Sequence, residues 1–412
     1  MEGYNERKQK PHGRSSPGSR SLSLSMAPVL RFFSLPTVCK ALTVVLLALG
    51  LYAAGRAQWK DCDVPREGFL RRICFGETFF KRALPEVKAV HPPVPALTGF
   101  DAQFYAQIAV DPTLQHPQMK KAMDGAKYRC RRILLPFIAY VAGLGRPAWI
   151  LHAYSVLNMI AWFALVVLSL RWARGQDHRV VPWCVGALCL SLGAAISIRV
   201  AVLDLPVAVW IAGALLCARS GNGLATALCI TLGALTRETA IAALPMLLVI
   251  PGTWRKRAAW IAIALIPPAA WWFYVEQTFG GKNPGLGQSS FGFPGKAMFE
   301  HLGMRAAAWS VAFLTMDLRM LCIAVSLSTQ GIWFLVRRQY RDPLWVCGAA
   351  FAAVFFALGD EIWKNGGGAP SRVCLPLVVA FHFSLMREKP SVRNALWFLL
   401  ANCYMPFVFR LF

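Results

Sequence analysis

The chain has 412 residues, 56% of them hydrophobic and 12% aromatic, and apolar stretches recur over most of its length. A soluble protein of this size would place far more charge between such stretches, and an outer-membrane barrel would show alternating segments of roughly ten residues. The net charge of +24 does not point to nucleic acid, because the basic residues fall in short clusters between apolar segments: Arg171/Arg174/Arg179, Arg255/Lys256/Arg257, Arg337/Arg338/Arg341 and Arg387/Lys389/Arg393. Such clusters mark cytoplasmic loops and face the membrane lipids, anionic headgroups in particular.

In chain order, residues 1–37 predict a disordered, basic cytoplasmic tail, with Met26 as good a start as Met1. Residues 38–55 predict a first transmembrane helix. The alternative is a cleaved signal peptide, since small residues follow at Ala53, Ala54 and Ala57. Residues 56–146 predict an extracytoplasmic loop with interfacial amphipathic helices. Its own Lys and Arg do not oppose that placement, because the charge rule is counted over loops shorter than about 60 residues. Cys62 and Cys74 share this loop, as a disulfide or as two free thiols. The other cysteines form no CxxC and no Cys/His metal spacing, and many sit inside apolar segments.

Residues 147–412 predict a polytopic core, with spans near 147–170, 180–198, 203–218, 223–235, 239–254, 258–276, 319–336, 344–361, 372–386 and 394–411. A full span needs roughly 20 residues, so the total is about eleven, within a range of about nine to thirteen. The segment 133–145 is too short to cross and predicts a partly embedded outer helix. That choice puts every basic cluster inside. It collects on the outer face the long loop, the turn IRVAVLDLP (198–206), the break LTRETA (235–240), the Gly-rich stretch 279–295 and GDEIWKNGGGAPSRV (359–373).

The candidate site residues lie in these outer segments. In LTGFDAQFYAQIAVDP (97–112), Phe100, Phe104 and Ile108 form one helical stripe, Asp101 and Tyr105 another, and Gln103 and Gln107 a third. Asp101 either faces a cavity or belongs to the S/T-x-x-D capping pattern begun by Thr98. Arg129, Arg131 and Arg132 either snorkel at the interface or clamp phosphate. Arg199 and Asp204 bracket a turn. Arg237 and Glu238 interrupt an apolar run and, being adjacent, should find different partners; the alternative puts both in water on a turn. Charge at membrane depth costs at least about 2.5–3.5 kcal/mol per residue. Arg372 follows a triple glycine that lacks the Lys-Ser/Thr ending of a phosphate loop.

The order of these elements resembles the GT-C glycosyltransferases, polytopic enzymes that use polyprenyl-phosphate sugars. FDAQFYAQIA is similar to the first-loop motif of GPI-type mannosyltransferases and their bacterial relatives, and LDLP and LTRETA are similar to later signposts of that fold. There is no DxD at the opening motif, no DxxK or WWDYG-like element and no soluble C-terminal domain, so the likeness does not extend to oligosaccharyltransferases. The resemblance implies an all-α, GT-C-like protein of the bacterial inner (plasma) membrane and cell envelope. Its activity would move a sugar from a polyprenyl-phosphate donor to a glycan or glycolipid acceptor on the extracytoplasmic face, with inversion. In that scheme Asp101 is the base, its pKa raised by partial burial. Arg237 stabilises the leaving phosphate, with Arg129, Arg132 and Arg372 behind it. Asp204 orients the acceptor, and Gln103, Tyr105, Arg199 and Glu238 line the substrate site. No cofactor is required; Asp101 with Asp204 would suit a divalent cation. The competing readings are a lipid or glycan transporter or flippase, since intramembrane charges also mark transport paths, and a structural subunit of a polysaccharide-export assembly.

Overall fold

A computed structural model describes residues 68–94, 98–280, 290–307, 313–364 and 368–408, with backbone alone at 304–307 and 313–317. The predicted tail, the predicted helix at 38–55, Cys62 and most of the Gly-rich stretch lie outside the described residues. Among the described residues every regular element is helical, apart from isolated bridge residues such as the Phe291–Leu358 pair.

The first unit is a packed loop. A 3-10 turn Gly68–Ile73 and single turns at Glu77–Phe80 and Pro85–Ala89 surround α1 (Ala102–Val110), followed by α2 (Ala126–Cys130) and α3 (Leu134–Ala142). The sequence predicts α1 as an interfacial helix with one open edge. Instead every residue from Ala102 to Ala109 is buried, and only Phe100 of the expected stripe is exposed. Gln103 and Gln107 can be buried because their amides are bonded at both ends. Gln103 Oε1 accepts from the Gly76 amide at 3.1 Å, and its Nε2 donates to the Thr98 carbonyl at 3.0 Å. Gln107 accepts from the Leu84 amide at 3.0 Å and donates to the Ala122 carbonyl at 3.1 Å. These bonds run between α1 and segments that cover it, which is why its apparently polar stripe does not face outward. Gly99, at φ 69°, passes so close to Gly76 that a Cβ would lie 2.5 Å from the Gly76 nitrogen. Short α3 packs on α1 and on α4 (Pro147–Trp172), with Phe137 and Val141 turned outward.

The second unit is a helical bundle. After α4 come α5 (Val181–Cys189), α6 (Leu192–Arg199), α7 (Asp204–Arg219), α8 (Gly223–Thr236), α9 (Trp254–Phe279), α10 (Lys296–Ala307), α11 (Phe313–Arg337), α12 (Pro343–Phe356), α13 (Gly368–Val373), α14 (Leu375–Met386) and α15 (Val392–Ala401). The predicted span 180–198 is present as Val181–Arg199, with a kink at Leu190 and Ser191 between α5 and α6. The predicted span 239–254 is a 3-10 turn, Glu238–Ala243, followed by the single turn Met246–Val249, with Pro245 between them. Helix α10 begins just past the predicted Gly-rich stretch and had no counterpart among the predicted spans.

Helix α7 is central, packed against α4, α8, α12 and α14. Its Ala208, Ala212 and Ala214 are fully buried, and small residues let helices approach closely. Among the described residues four helical segments are long and apolar enough to cross a membrane: Pro147–Trp172, Val181–Arg199 (α5 and α6 taken together), Trp254–Phe279 and Leu318–Arg337. Large apolar side chains point outward along this bundle: Ile160, Phe163 and Val167 on α4, Phe273 on α9, and Leu335 on α11. A water-facing surface would not carry them in such number; lipid accounts for them.

Two apolar clusters make up the core, one in the loop and one in the bundle. They meet in the turn before α7, where Leu203 belongs to the first and Leu205 to the second. Asp204 sits between them.

Candidate functional site

Ala201, in the turn leading to α7, has φ 45°, a conformation that costs a non-glycine residue roughly 1–2 kcal/mol. The Tyr154 hydroxyl holds this turn by donating to the Ala201 carbonyl at 2.9 Å. The result puts Asp204, 3% exposed, in the first turn of α7. Two arginines reach it. Arg237 stands at the end of α8, where the backbone turns extended, and its Nη1 contacts Asp204 Oδ1. Arg372, on α13, brings Nη1 to 3.7 Å from Asp204 Oδ2. Arg372 is positioned by a tight crossing of α6 and α13: a Cβ on Gly193 would lie 2.2 Å from the Ser371 carbonyl oxygen. The Nε atoms of Arg237 and Arg372 are both buried without a hydrogen-bond partner.

Beside this trio the loop contributes its own charges. Asp101 Oδ2 is 3.0 Å from Arg129 Nη1. Arg129 is held from behind by Asp124, with Nε and Nη2 donating to its two oxygens at 2.9 and 2.7 Å, and its guanidinium lies over the Phe104 ring. Arg132 donates to both oxygens of Glu238 at 2.9 and 2.5 Å and to the Tyr105 hydroxyl at 2.5 Å, with the Tyr128 ring 4.3 Å from its guanidinium. Arg237 and Glu238 therefore do find different partners. The Asp101 carboxylate faces Arg129 and makes no cap bond to α1, so the capping alternative does not describe it. Arg372 also acts electrostatically on Asp101, which links the loop pair to the Asp204 trio.

The structure thus gathers Asp101, Tyr105, Arg129, Arg132, Asp204, Arg237, Glu238 and Arg372 at the seam between loop and bundle. Two predicted site residues do not join them as expected. The Gln103 amide is engaged with backbone on both sides. Arg199 is exposed at the end of α6, where it acts electrostatically on Cys74.

The expected rise in the Asp101 pKa is also reversed. Burial opposes the charge, but Arg129, then Arg372 and Arg132, outweigh it and hold the carboxyl down at about 2. The side chain is 42% exposed all the same, at the rim of the cluster. Asp101 is therefore ionised throughout the neutral range and is a weak base while its arginines remain in place. A divalent cation suits the cluster poorly. Asp101 and Asp204 are both already met by guanidinium groups, and among the described residues no group of three or more His, Cys, Asp or Glu side chains is placed to hold a metal.

Asp124, Tyr128 and the tie to α9 were not legible as site residues. Lys127 pairs with Glu276, and the indoles of Trp271 and Trp272 donate to the carbonyls of Cys130 and Arg131 at 2.8 and 3.3 Å. Together they fasten α2 to α9. The only signal in the sequence was the acidic Asp124 five residues before Arg129.

No family model, curated protein or solved structure matches the chain. The fold and its apolar helices define a helical membrane protein. Its distinguishing feature is a cluster of paired arginines and carboxylates where a packed loop meets the bundle.

Proposed function

We propose that the protein is a GT-C-like membrane glycosyltransferase with about eleven spans; four long apolar helices and four shorter ones among the described residues support a polytopic bundle. It would move a sugar from a polyprenyl-phosphate donor to a cell-surface glycan or glycolipid on the extracytoplasmic face of a bacterial inner membrane. The observation that supports this reading is that Arg372 acts on Asp101 across some 270 positions of chain while sharing the Asp204 carboxylate with Arg237. In the reaction the acceptor hydroxyl attacks the anomeric carbon, the bond from that carbon to the phosphate oxygen breaks, and the hydroxyl proton passes to Asp101. The polyprenyl phosphate leaves with its negative charge facing Arg237 and Arg372.

The two roles are coupled. Arg129 and Arg132 are matched by Asp124 and Glu238, whereas Arg237 and Arg372 share the single carboxylate of Asp204. The latter pair is the better placed to accept a phosphate. A phosphate that neutralises Arg372 also removes one of the charges that weaken Asp101 as a base, so donor binding would strengthen the base.

The test is transfer from radiolabelled polyprenyl-phosphate sugar by purified protein in detergent. Asp101→Asn should lose about 10²–10⁴-fold in rate, and Arg237→Ala about 10²-fold. Full activity of Asp101→Asn at normal protein levels would reject the base. One observation favours a carrier instead: the four arginines Arg129, Arg132, Arg237 and Arg372 are equalled in number by the four carboxylates Asp101, Asp124, Asp204 and Glu238, as in a gate whose ion pairs open on substrate. A carrier would leave the donor unconsumed in detergent, where no gradient exists.

A further inference from the structure

Independently of that reading, a second charged site lies at the opposite end of the bundle. Asp204 opens α7 and Arg219 closes it, and Arg372 and Arg387 similarly flank α14. At 1.5 Å per residue this separates the two ends by about 22–24 Å. There a cleft of about 480 Å³ opens among Trp172, Gln176, Arg219, Arg341, Asp342 and Arg387. The Trp172 indole forms a fixed wall: it stacks on Phe383 at 4.6 Å and donates to the Phe383 carbonyl at 2.9 Å. The Arg219 guanidinium lies 5.0 Å from the Trp172 ring, with Nη1 donating to the Trp172 carbonyl at 2.7 Å.

The charges in this cleft do not balance. Arg219, Arg341 and Arg387 face one carboxylate, Asp342. That carboxylate is itself divided: Oδ1 caps α12 through the Leu344 amide at 3.2 Å, and Oδ2 accepts from Arg387 at 2.5 Å. Arginines at helix ends often only offset the negative C-terminal dipole, which describes Arg219 and Arg387. It does not describe Arg341, which lies in the turn before the N-terminus of α12 and makes no side-chain hydrogen bond or ion pair among the described residues. Leu215 and Val249 supply an apolar flank.

We propose that this cleft binds the phosphate of an anionic lipid headgroup, with Arg341 and Arg387 on the phosphate oxygens and the start of the acyl chains against Leu215 and Val249. Basic pockets between transmembrane helices suit such headgroups, and the volume is in the range of small-ligand sites.

The test is thermal stabilisation of the full chain in neutral detergent, titrated with dihexanoyl phosphatidylglycerol, dihexanoyl phosphatidylcholine or glycerol 1-phosphate. Phosphatidylglycerol should raise Tm saturably, with little effect of the other two at equal concentration. Arg341→Ala and Arg387→Ala should each weaken the response about fivefold. Arg174→Ala, a basic residue that does not line the cleft, should leave it unchanged. Arg341 is exposed and uncommitted, so its variant folds as the parent does. Equal responses to the two lipids, an unchanged Arg341→Ala titration, or an equally weakened Arg174→Ala would overturn the proposal. A matching response to glycerol 1-phosphate would assign the cleft to a soluble phosphate and overturn the lipid.

Discussion

At the scale of single residues, the cluster works by pairing charges that would be costly alone. Arg132 is 3% exposed on its side chain and has Glu238, Tyr105 and Tyr128 around it. Removing one partner of a buried pair leaves an uncompensated charge, at a cost of about 3–5 kcal/mol. Glu238→Gln should therefore lower Tm sharply, whereas the double variant Arg132→Met, Glu238→Gln should recover much of the loss; denaturation of the purified variants checks this. Asp101 gives a pH prediction. Its carboxyl is held near 2, below the ordinary value of 3.8. Its contribution to stability is therefore present above about pH 4 and lost as the pH falls from there toward 2. In Arg129→Gln the largest opposing charge is gone, so the carboxyl should protonate at higher pH. Infrared difference spectra of the protonated carboxyl band should show its midpoint moved upward relative to the parent, and an unmoved midpoint would show that Arg129 does not control Asp101.

At the scale of elements, helix crossings and breaks place the side chains. The α6–α13 crossing leaves no room for a Cβ at Gly193. Gly193→Ala must push α13 away, carrying Arg372 from Asp204. Overpacking of this kind costs about 1–3 kcal/mol, and the variant should lose the function of the cluster in step with stability. The tie from α2 to α9 is a second lever. Trp271→Phe keeps most of the ring but removes the hydrogen bond to Cys130, so a loss of about 1 kcal/mol is expected in denaturation. Periodicity revealed most of the helices themselves: α4, α7 and α8 lie within a few residues of their predicted bounds. Periodicity did not reveal that α1 is covered on all sides, because the segments that bury it carry no pattern of their own and contact it only in three dimensions.

At the scale of the whole molecule, the protein is polarised. The balanced cluster lies at one end of α7 and the unbalanced basic cleft at the other. A membrane between them makes an orientation prediction. In a background freed of reactive native cysteines, Gln118→Cys on the loop should react with an impermeant maleimide from outside intact cells. Tyr340→Cys, in the turn beside the cleft, should react only after the cells are opened. Labelling of both from the same side would contradict a bundle that spans the bilayer in this sense. The prediction rests on Gln118 and Tyr340 being exposed at opposite ends of the bundle.

Apolar spacing and charge placement by themselves determined that this is a helical membrane protein, where most of its helices fall, and which interrupting charges were worth singling out. Both signals are local and survive in one dimension. Only the tertiary structure decided the rest: that Arg372 meets Asp204, that Asp124 backs Arg129, that Gln103 is a backbone tie, and that Arg199 lies at the exposed end of α6. Those outcomes depend on which faces of distant helices cross and on the balance of several opposing charges at one point, and no single stretch of sequence contains either.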